Sequence, residues 1–415
     1  MRATFVVQRY GLEVNGGAEL LCRWLAELMR DTWDIEVLTT CALDYMTWAN
    51  HYQPGTKTIN GVAVRRFPVV KQRDVKRFNK LCEKVFHHPH TRQEEIEWMK
   101  AQGPDCPGLF EYISQHKHEY TIFVFFTYLY GTTFWGLPIV SDKAFLVPTS
   151  HDEPPIYLSI FHELFSKPRG FFFNTPEEKD FLLNRFNIDC TYSDIVGIGI
   201  QFDESMLYNN ILNQKLPENY VLYVGRIDES KNCHELFNFW ESFKSKNKVE
   251  LHLVLAGRSG MKIPKRKDIV YLGFVSEKDK FEAISKAECL IMPSVFESLS
   301  MVIMESWLCN RPVLVNGKCT VLKGQCRRSN GGLWYENYDE FEACLSYILN
   351  NKDTASAMAA QGKRYTVENY SWDIIKGKWL RLINRYCNGQ PHVEHKNIIK
   401  TVSLRGGVFL PTKQS

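Results

Sequence analysis

Short unbroken apolar runs alternate along this chain with segments whose apolar residues recur every three or four positions. Thr4 to Val7, Ile35 to Thr39, Thr121 to Phe126, Ala144 to Val147 and Phe171 to Phe173 have the length and the β-branched or aromatic content of strands buried on both faces. Between the first two, Ala18 to Met29 has helical spacing. Strands separated by helices predict a mostly parallel, doubly wound sheet. Tyr220 to Val224, Leu251 to Leu255, Leu290 to Met292 and Val313 to Val315 repeat the pattern, so a second Rossmann-like sheet is expected. An Asn60-Gly61 pair between Lys57-Thr58-Ile59 and Val62-Ala63-Val64 predicts a hairpin. Val196 to Gln201 and Asn213 to Pro217, glycine-rich then polar, form the expected linker. Ser371 to Tyr386 reads as a serine-capped helix with Trp372, Ile375, Trp379, Leu382 and Ile383 on one face. Beyond Gly389 the sequence is polar and aperiodic, and is expected to be loosely held.

Two segments raise the question of a membrane. Thr121 to Val140 has no charged residue and is long enough to cross a bilayer, but Gly131, Gly136, Pro138 and four threonines interrupt it. The reading is a strand to Thr127, a turn at Gly131 and a helix opening at Thr132 to Trp135. Lys71 to Arg92 sets Lys71, Arg73, Lys76, Arg77, Lys80, Lys84 and Arg92 against Asp74 and Glu83, with Val75, Phe78, Leu81, Val85 and Phe86 between them. A helix of this kind either packs its apolar face on the first domain, the preferred reading, or rests on anionic lipid at the inner face of the cell membrane.

Composition narrows the class without naming it. A chain of 415 residues exceeds what one core serves, and 44% hydrophobic with 24% charged residues is globular. The 51 cations face 47 anions, which is no footprint for nucleic acid. Twelve scattered cysteines without a Cys-x-x-Cys pair read as reduced thiols; Cys106, between Asp105 and Pro107, is the one loop position where reactivity is considered. The apolar run after Met1 is too short for a signal-peptide core, so a cytoplasmic location is expected.

Candidate chemistry centres on Phe296-Glu297-Ser298-Leu299-Ser300 and the apolar helix that follows, with Glu305 inside it. A helix N-terminus presents unpaired N–H groups and a partial positive charge, so Ser300, Met301 and Val302 could hold a diphosphate through the main chain. Glu297 could then accept from sugar hydroxyls and Glu305 from a ribose diol; the bland alternative is a capping loop and a solvated helix glutamate. Upstream, a strand ends at Gly225 and leads to Arg226 and Lys231, spaced to reach a leaving diphosphate unless they are ordinary surface charge. Gly16 and Gly17 would let the first loop close over phosphates, or simply start a helix. His151, at the end of the strand through Phe145, could hydrogen-bond a sugar hydroxyl or an acceptor. Asp152 and Glu153 form an alternative carboxylate pair for a covalent route, but neighbours on one loop tend to point apart. No Asp-x-Asp sequence occurs, in agreement with a metal-independent reaction, and no cofactor is expected.

Taken in order, Gly16-Gly17-Ala18-Glu19, Asn174-Thr175-Pro176-Glu177, Gly225-Arg226 with Lys231, Leu255-Ala256-Gly257, Gly273-Phe274-Val275 and Glu297 through Glu305 resemble the retaining glycosyltransferases of family four, the glycosyl transferases group 1, over most of the chain. The resemblance implies two Rossmann-like domains facing across a cleft, the B-type architecture. Residues 1–198 would bind acceptor, 199–370 would bind the nucleotide sugar, 371–388 would cross back to the first domain, and 389–415 would form a tail. It further implies a nucleoside diphosphate sugar as substrate, a glycan or lipid-linked acceptor, a histidine at the position of His151, and base contacts from Gly257, Arg258, Phe274 and Val275. Two other classes compete. A nucleotide-sugar epimerase or Rossmann oxidoreductase would share the fold, although Gly197 and Gly199 lack the third glycine of a dinucleotide fingerprint. A non-catalytic sugar-nucleotide-binding protein would also keep the motifs.

Overall fold

The computed structural model describes residues 1–14, 16–200, 202–205 and 216–390, so residues 201 and 213–215 of the expected linker and the tail from 391 onward lie outside the described residues. Among the described residues two sheets form. The first contains β1 (Arg2–Val6), β2 (Asp34–Thr40), β3 (Gly55–Ile59), β4 (Val62–Phe67), β5 (Ile122–Phe126), β6 (Ala144–Val147), β7 (Gly170–Phe173) and β8 (Tyr192–Ile195). The second contains β9 (Tyr220–Val224), β10 (His252–Ala256), β11 (Ile269–Gly273), β12 (Leu290–Met292), β13 (Val313–Asn316) and β14 (Gly332–Tyr335). Their orders are β3-β4-β2-β1-β5-β6-β7-β8 and β11-β10-β9-β12-β13-β14. Every pairing is parallel except the β3–β4 hairpin, whose Asn60 and Gly61 both have positive φ (48° and 81°), as a two-residue hairpin turn of matching twist requires.

The central strands are buried on both faces. All five residues of β5 and all four of β6 and β7 are buried, which explains their unbroken apolar runs. The uncharged stretch from Thr121 to Val140 is β5, a short helix at Gly131–Gly136 and a 3-10 turn, as read from its glycines and proline. No helix among the described residues is long and apolar enough to cross a membrane.

The basic amphipathic segment is helix Val75–His87, with Asp74 capping it by accepting from Arg77 N–H. Its apolar face is already covered: Phe78 and Phe86 lie against the Trp98 ring, at 6.3 and 5.6 Å between centroids, and Val85 is buried. Lipid contact through that face is therefore blocked by helix Arg92–Gln102, and the exposed side is polar, with Lys76, Arg77, Asn79, Lys80, Glu83 and His87.

Helix Trp372–Cys387 lies against the first sheet, where the Trp379 indole stacks on Phe172 with centroids 3.7 Å apart. Ile375, Trp379, Leu382 and Ile383 are buried, while Trp372 is half-buried edge-on to Trp24. The serine cap expected at Ser371 is not made: its hydroxyl makes no capping bond, and the carbonyl alone serves, accepting from Ile375 N–H at 3.0 Å. Packing of the apolar face holds this helix start where a side-chain cap was expected.

Every described cysteine is a free thiol. Cys106 is buried at the start of helix Pro107–His116, and burial pushes its thiol up to about 12, so the loop position that invited reactivity holds an inert sulfur.

Candidate functional site

In an open parallel sheet a crevice forms where adjacent strands lead their connections to opposite sides. In the second sheet that switch lies between β9 and β12, which are neighbours in space and far apart in sequence. Gly225, Arg226 and Lys231 follow β9, and Glu297 follows β12. The fold thus delivers the two motifs to one crevice.

Lys231 Nζ lies 2.6 Å from Glu297 Oε1 in a half-buried ion pair. The turn carrying Lys231 is set by Asp228, whose carboxylate accepts from Lys231 N–H at 3.1 Å and from the Ser230 hydroxyl at 2.7 Å. His151 arrives from the first sheet, after β6. Its ring meets Phe296 edge-on at 5.9 Å between centroids, and Nδ1 lies 3.2 Å from Glu153 Oε1 without hydrogen-bond geometry. Burial alone would lower the imidazole pKa, but Glu153 beside it and the field of Glu297 outweigh burial and the opposing Lys231, so the pKa is raised. Histidine, lysine and glutamate from two sheets therefore share one electrostatic environment.

Arg226 is about half exposed, with Nη1 3.4 Å from Asp228 Oδ2 and 3.4 Å from the Tyr45 hydroxyl, which belongs to the first sheet's loops. The neighbouring acids take separate partners. Asp152 Oδ1 accepts from Tyr157 at 2.5 Å and Glu153 Oε1 from Tyr128 at 2.8 Å, so the adjacent carboxylates do not act as a pair.

Helix Met301–Leu308 begins at Ser300, which has φ +67°, is buried, and makes no capping bond; its Oγ has no partner. Met301 and Val302 thus head a helix whose N-terminus no side chain caps, a ready anion seat. Glu305, further along, does not join Glu297. It is buried, and its Oε1 accepts from Lys280 Nζ at 2.8 Å, while Lys280 also pairs with Glu277 at 2.7 Å. Burial raises the Glu305 pKa, with Lys280 pulling the other way.

The glycines serve close packing. Gly225 and Gly257 have φ of +153° and +145°, and a Cβ on Gly257 would fall 1.8 Å from Gly225 O, so the ends of β9 and β10 touch backbone to backbone. Gly257 N–H donates to Gly273 O at 2.8 Å, just before Phe274 and Val275. Arg258 and Phe274 are exposed and pair with each other, guanidinium over ring at 5.1 Å, forming a rim apart from the Lys231–Glu297 pair. Gly16 precedes helix Gly17–Met29, and a Cβ there would meet Glu19 Oε2 at 2.0 Å; Gly17 faces open space. The Glu19 carboxylate therefore already covers part of that helix N-terminus, neutralised by Arg9 at 2.6 Å. Arg9 in turn lies over the Tyr45 ring at 5.3 Å, linking the Gly16-Gly17 loop to Arg226 through one tyrosine.

Residue patterns did not reveal three participants. Glu178 is buried beneath the His151 loop, where Oε1 accepts from Ser150 N–H at 2.6 Å and Oε2 from Asn174 N–H at 2.6 Å. It fixes the end of β6 next to Thr149, which has φ +49°. Its signal was a second glutamate after Thr175-Pro176, ordinarily read as first-turn helix charge. Lys280 and Tyr45 carry no sequence signal, because their partners lie far along the chain. Among the described residues no three His, Cys, Asp or Glu side chains gather as metal ligands would.

Residues 207–365, which include every element of this crevice from the second sheet, match the family model of glycosyl transferases group 1. This stretch is a glycosyl transferases group 1 domain. The chain is 24% identical over 221 residues to an uncharacterized glycosyltransferase of Methanocaldococcus jannaschii, covering 49% of this chain and 53% of that protein. It is 24% identical over 175 residues to the O-antigen chain mannosyltransferase B of Escherichia coli, covering 38% and 45%. The chain thus spans about half the length of the curated relatives it matches. The glycosyl transferases group 1 domain sits within a two-sheet architecture shared with solved structures. Sucrose-phosphate synthase from Thermosynechococcus elongatus superposes with a TM-score of 0.67 at 14% identity, over 94% of this chain and 100% of that one. The Anabaena protein HepE in complex with UDP and glucose gives 0.65 at 14%, over 92% and 99%. Both sheets are therefore arranged as in the B-type glycosyltransferase fold.

Proposed function

We propose that this protein is a retaining hexosyltransferase, which moves a sugar from a nucleoside diphosphate donor to a glycan or lipid-linked acceptor in surface polysaccharide biosynthesis. The observation that carries the reading is the Lys231–Glu297 pair at the switch point of the second sheet, with His151 of the first sheet in the same electrostatic environment. As the diphosphate departs, negative charge grows on its oxygens. Arg226, Lys231 and the uncapped N–H groups at Met301 and Val302 would stabilise it, the kind of preorganised contribution that dominates many transfer reactions. Glu297 would hold donor-sugar hydroxyls while Lys231 shifts toward phosphate. Glu305 would use its Oε2 for the ribose, since Oε1 is engaged by Lys280. Gly257, Arg258, Phe274 and Val275 would border the base, and Gly16 and Gly17 would approach the phosphates from the first sheet.

The O-antigen mannosyltransferase among the relatives, and the structural likeness to WaaG, a glycosyltransferase involved in lipopolysaccharide biosynthesis, support a surface-glycan product. HepE holding UDP and glucose supports a nucleotide-sugar donor. The extents read from sequence remain our proposal, with residues 1–198 for acceptor, 199–370 for donor and 371–388 as the returning helix. So does a cytoplasmic location with peripheral, charge-based membrane contact through Lys76, Arg77 and Lys80.

The test is the stereochemistry of donor hydrolysis followed by proton NMR over a panel of α-linked nucleotide hexoses. The α-hexose should appear first, and Glu297→Ala should lower the rate by about 10²–10³-fold, as loss of a preorganised polar contact does elsewhere. First appearance of the β-hexose would overturn retention. No turnover of any donor, or a nicotinamide-dependent absorbance change instead, would overturn the transferase reading.

A further inference from the structure

Helix Glu277–Lys286 starts two residues after Val275, with Ser276 capping it by accepting from Asp279 N–H. From its first turns Lys280 reaches across to helix Met301–Leu308, where Nζ lies 2.8 Å from Glu305 Oε1. The same ammonium lies 2.7 Å from Glu277 Oε2 and 5.0 Å from the centre of the Phe281 ring. Side-chain exposure is 13% for Lys280 and 8% for Glu305 against 69% for Glu277, so the lysine links an acid in solvent to one that is buried. As a fastening between two helices a buried ion pair is a poor device, because desolvation cancels most of the attraction and apolar side chains of similar volume serve as well. Beside a proposed nucleotide site, such a pair points instead to recognition.

The pairing divides the carboxylate. Oε1 is held by the ammonium, whereas Oε2 makes no hydrogen bond among the described residues. An ionised carboxylate only accepts, which suits the two donating hydroxyls of a ribose; a protonated one would bring a donor to the same place. Burial pushes Glu305 toward the protonated form and Glu277 adds to the push, so Lys280 is the group that opposes it. Glu178, buried without a salt bridge among the described residues, is carried up to about 7 by the same effect. The other ionisable groups nearby do not take over this role. Cys309, at the end of the Glu305 helix, is a neutral thiol pushed up to about 12, and Arg311 and Lys363, the latter from helix Lys352–Tyr370, act on that thiol and not on Glu305.

From this arrangement we propose that Lys280 is a positioning residue for ribose recognition: it fixes Glu305 through Oε1, holds it as an acceptor-only carboxylate and leaves Oε2 to the 2′,3′-diol of the nucleotide. The assignment to ribose rests on the proposed nucleotide-sugar reading.

Isothermal titration of the full chain tests it, with UDP, GDP and ADP each compared with its 2′,3′-dideoxy counterpart between pH 6.5 and 9. The readout is the ratio of the two Kd values for the base that binds best, in which titration of the phosphates and of His151 cancels. The unaltered protein should prefer the ribonucleotide by about tenfold or more, as loss of hydrogen bonds to a charged group implies, with little change over the pH range. In Lys280→Met the preference should collapse to about twofold or less at pH 6.5 and recover as pH rises and Glu305 ionises, the behaviour expected when the ammonium has been removed. Lys280→Arg, which restores a cation, should keep the preference at every pH. Lys280→Gln can still donate to Glu305 but carries no charge; it should follow Lys280→Met, and it decides the matter if that variant fails to fold. A preference in Lys280→Met and Lys280→Gln equal to that of the unaltered protein, or one that is lost equally at all pH values, would overturn the inference while leaving the nucleotide site standing. Equal binding of ribo and dideoxy forms by the unaltered protein would overturn it together with the ribose role of Glu305, and failure of all three nucleotides to bind would remove the nucleotide-sugar reading as well.

Discussion

An ammonium and a carboxylate 2.6 Å apart stand near a histidine whose positive charge the carboxylate favours and the ammonium opposes. The buried Glu178 carboxylate beneath them depends on its surroundings more strongly. Burial raises its pKa from 4.5 to about 7, against the N–H groups of Asn174 and Ser150 and the His151 charge that favour ionisation. A folded-state value above the unfolded one means that the contribution to stability is complete below pH 4.5 and is lost as pH rises to about 7. Chemical denaturation from pH 4.5 to 8 should therefore show the wild-type protein losing stability on the order of 1–3 kcal/mol relative to Glu178→Gln across that window. A difference between the two that is flat with pH, or that grows with pH, would contradict this. His151 adds to the same trend, because its raised imidazolium is lost as pH climbs through the folded value. Glu297, Arg226 and Lys231 could be singled out from sequence, since each lies in the loop that follows a legible strand. Glu178, Lys280 and Tyr45 could not, because their meaning lies in what stands 25 to 181 residues away.

At the scale of elements, the sequence was legible where burial is two-sided. β6, β9 and β12 match the apolar runs residue for residue, and the Asn60-Gly61 turn follows from its own chemistry. β8, β11 and β14 were not read, for a common reason: each is an edge strand. An edge has one neighbour and one wetter face, so Tyr192-Ser193-Asp194-Ile195 and the half-exposed Ile269–Gly273 lose the continuous apolar signature. The amphipathy of helix Val75–His87 was likewise plain, but its partner, Trp98, was not. Helix Trp372–Cys387 allows a direct check of element packing. Trp379→Ala should destabilise by about 3–5 kcal/mol, the usual cost of removing a large buried aromatic, read as a lowered urea midpoint. An unchanged midpoint would mean that the stack on Phe172 does not hold that helix to the first sheet.

The whole molecule is joined by contacts other than the crevice. Glu177, at the start of helix Pro176–Arg185, meets Arg328 of helix Thr320–Ser329 with both carboxylate oxygens, one at 3.1 Å, and Tyr365 accepts from the same guanidinium at 3.2 Å. A bidentate fork of this kind restricts geometry as well as charge. A double-mutant cycle with Glu177→Gln and Arg328→Met should give a coupling of about 1 kcal/mol, less than a fully buried pair because both side chains retain some solvent. Zero coupling would show that this bridge does not fasten the two sheets. The two-sheet plan was readable from periodicity alone, whereas the positions of the sheets' partners across the cleft depended on tertiary pairings such as Arg226 with Tyr45.

The central claim is that the loops after β9 and β12 form one nucleoside diphosphate site. Isothermal titration with UDP-, GDP-, ADP- and dTDP-hexoses tests it most directly, comparing the unaltered protein with Arg226→Ala, Lys231→Met. At least one donor should bind with a Kd in the micromolar range, and the double change should weaken it by about 100-fold or more, as loss of two charge-assisted contacts implies. Failure of every nucleotide sugar to bind, or equal binding by the double variant, would contradict the account.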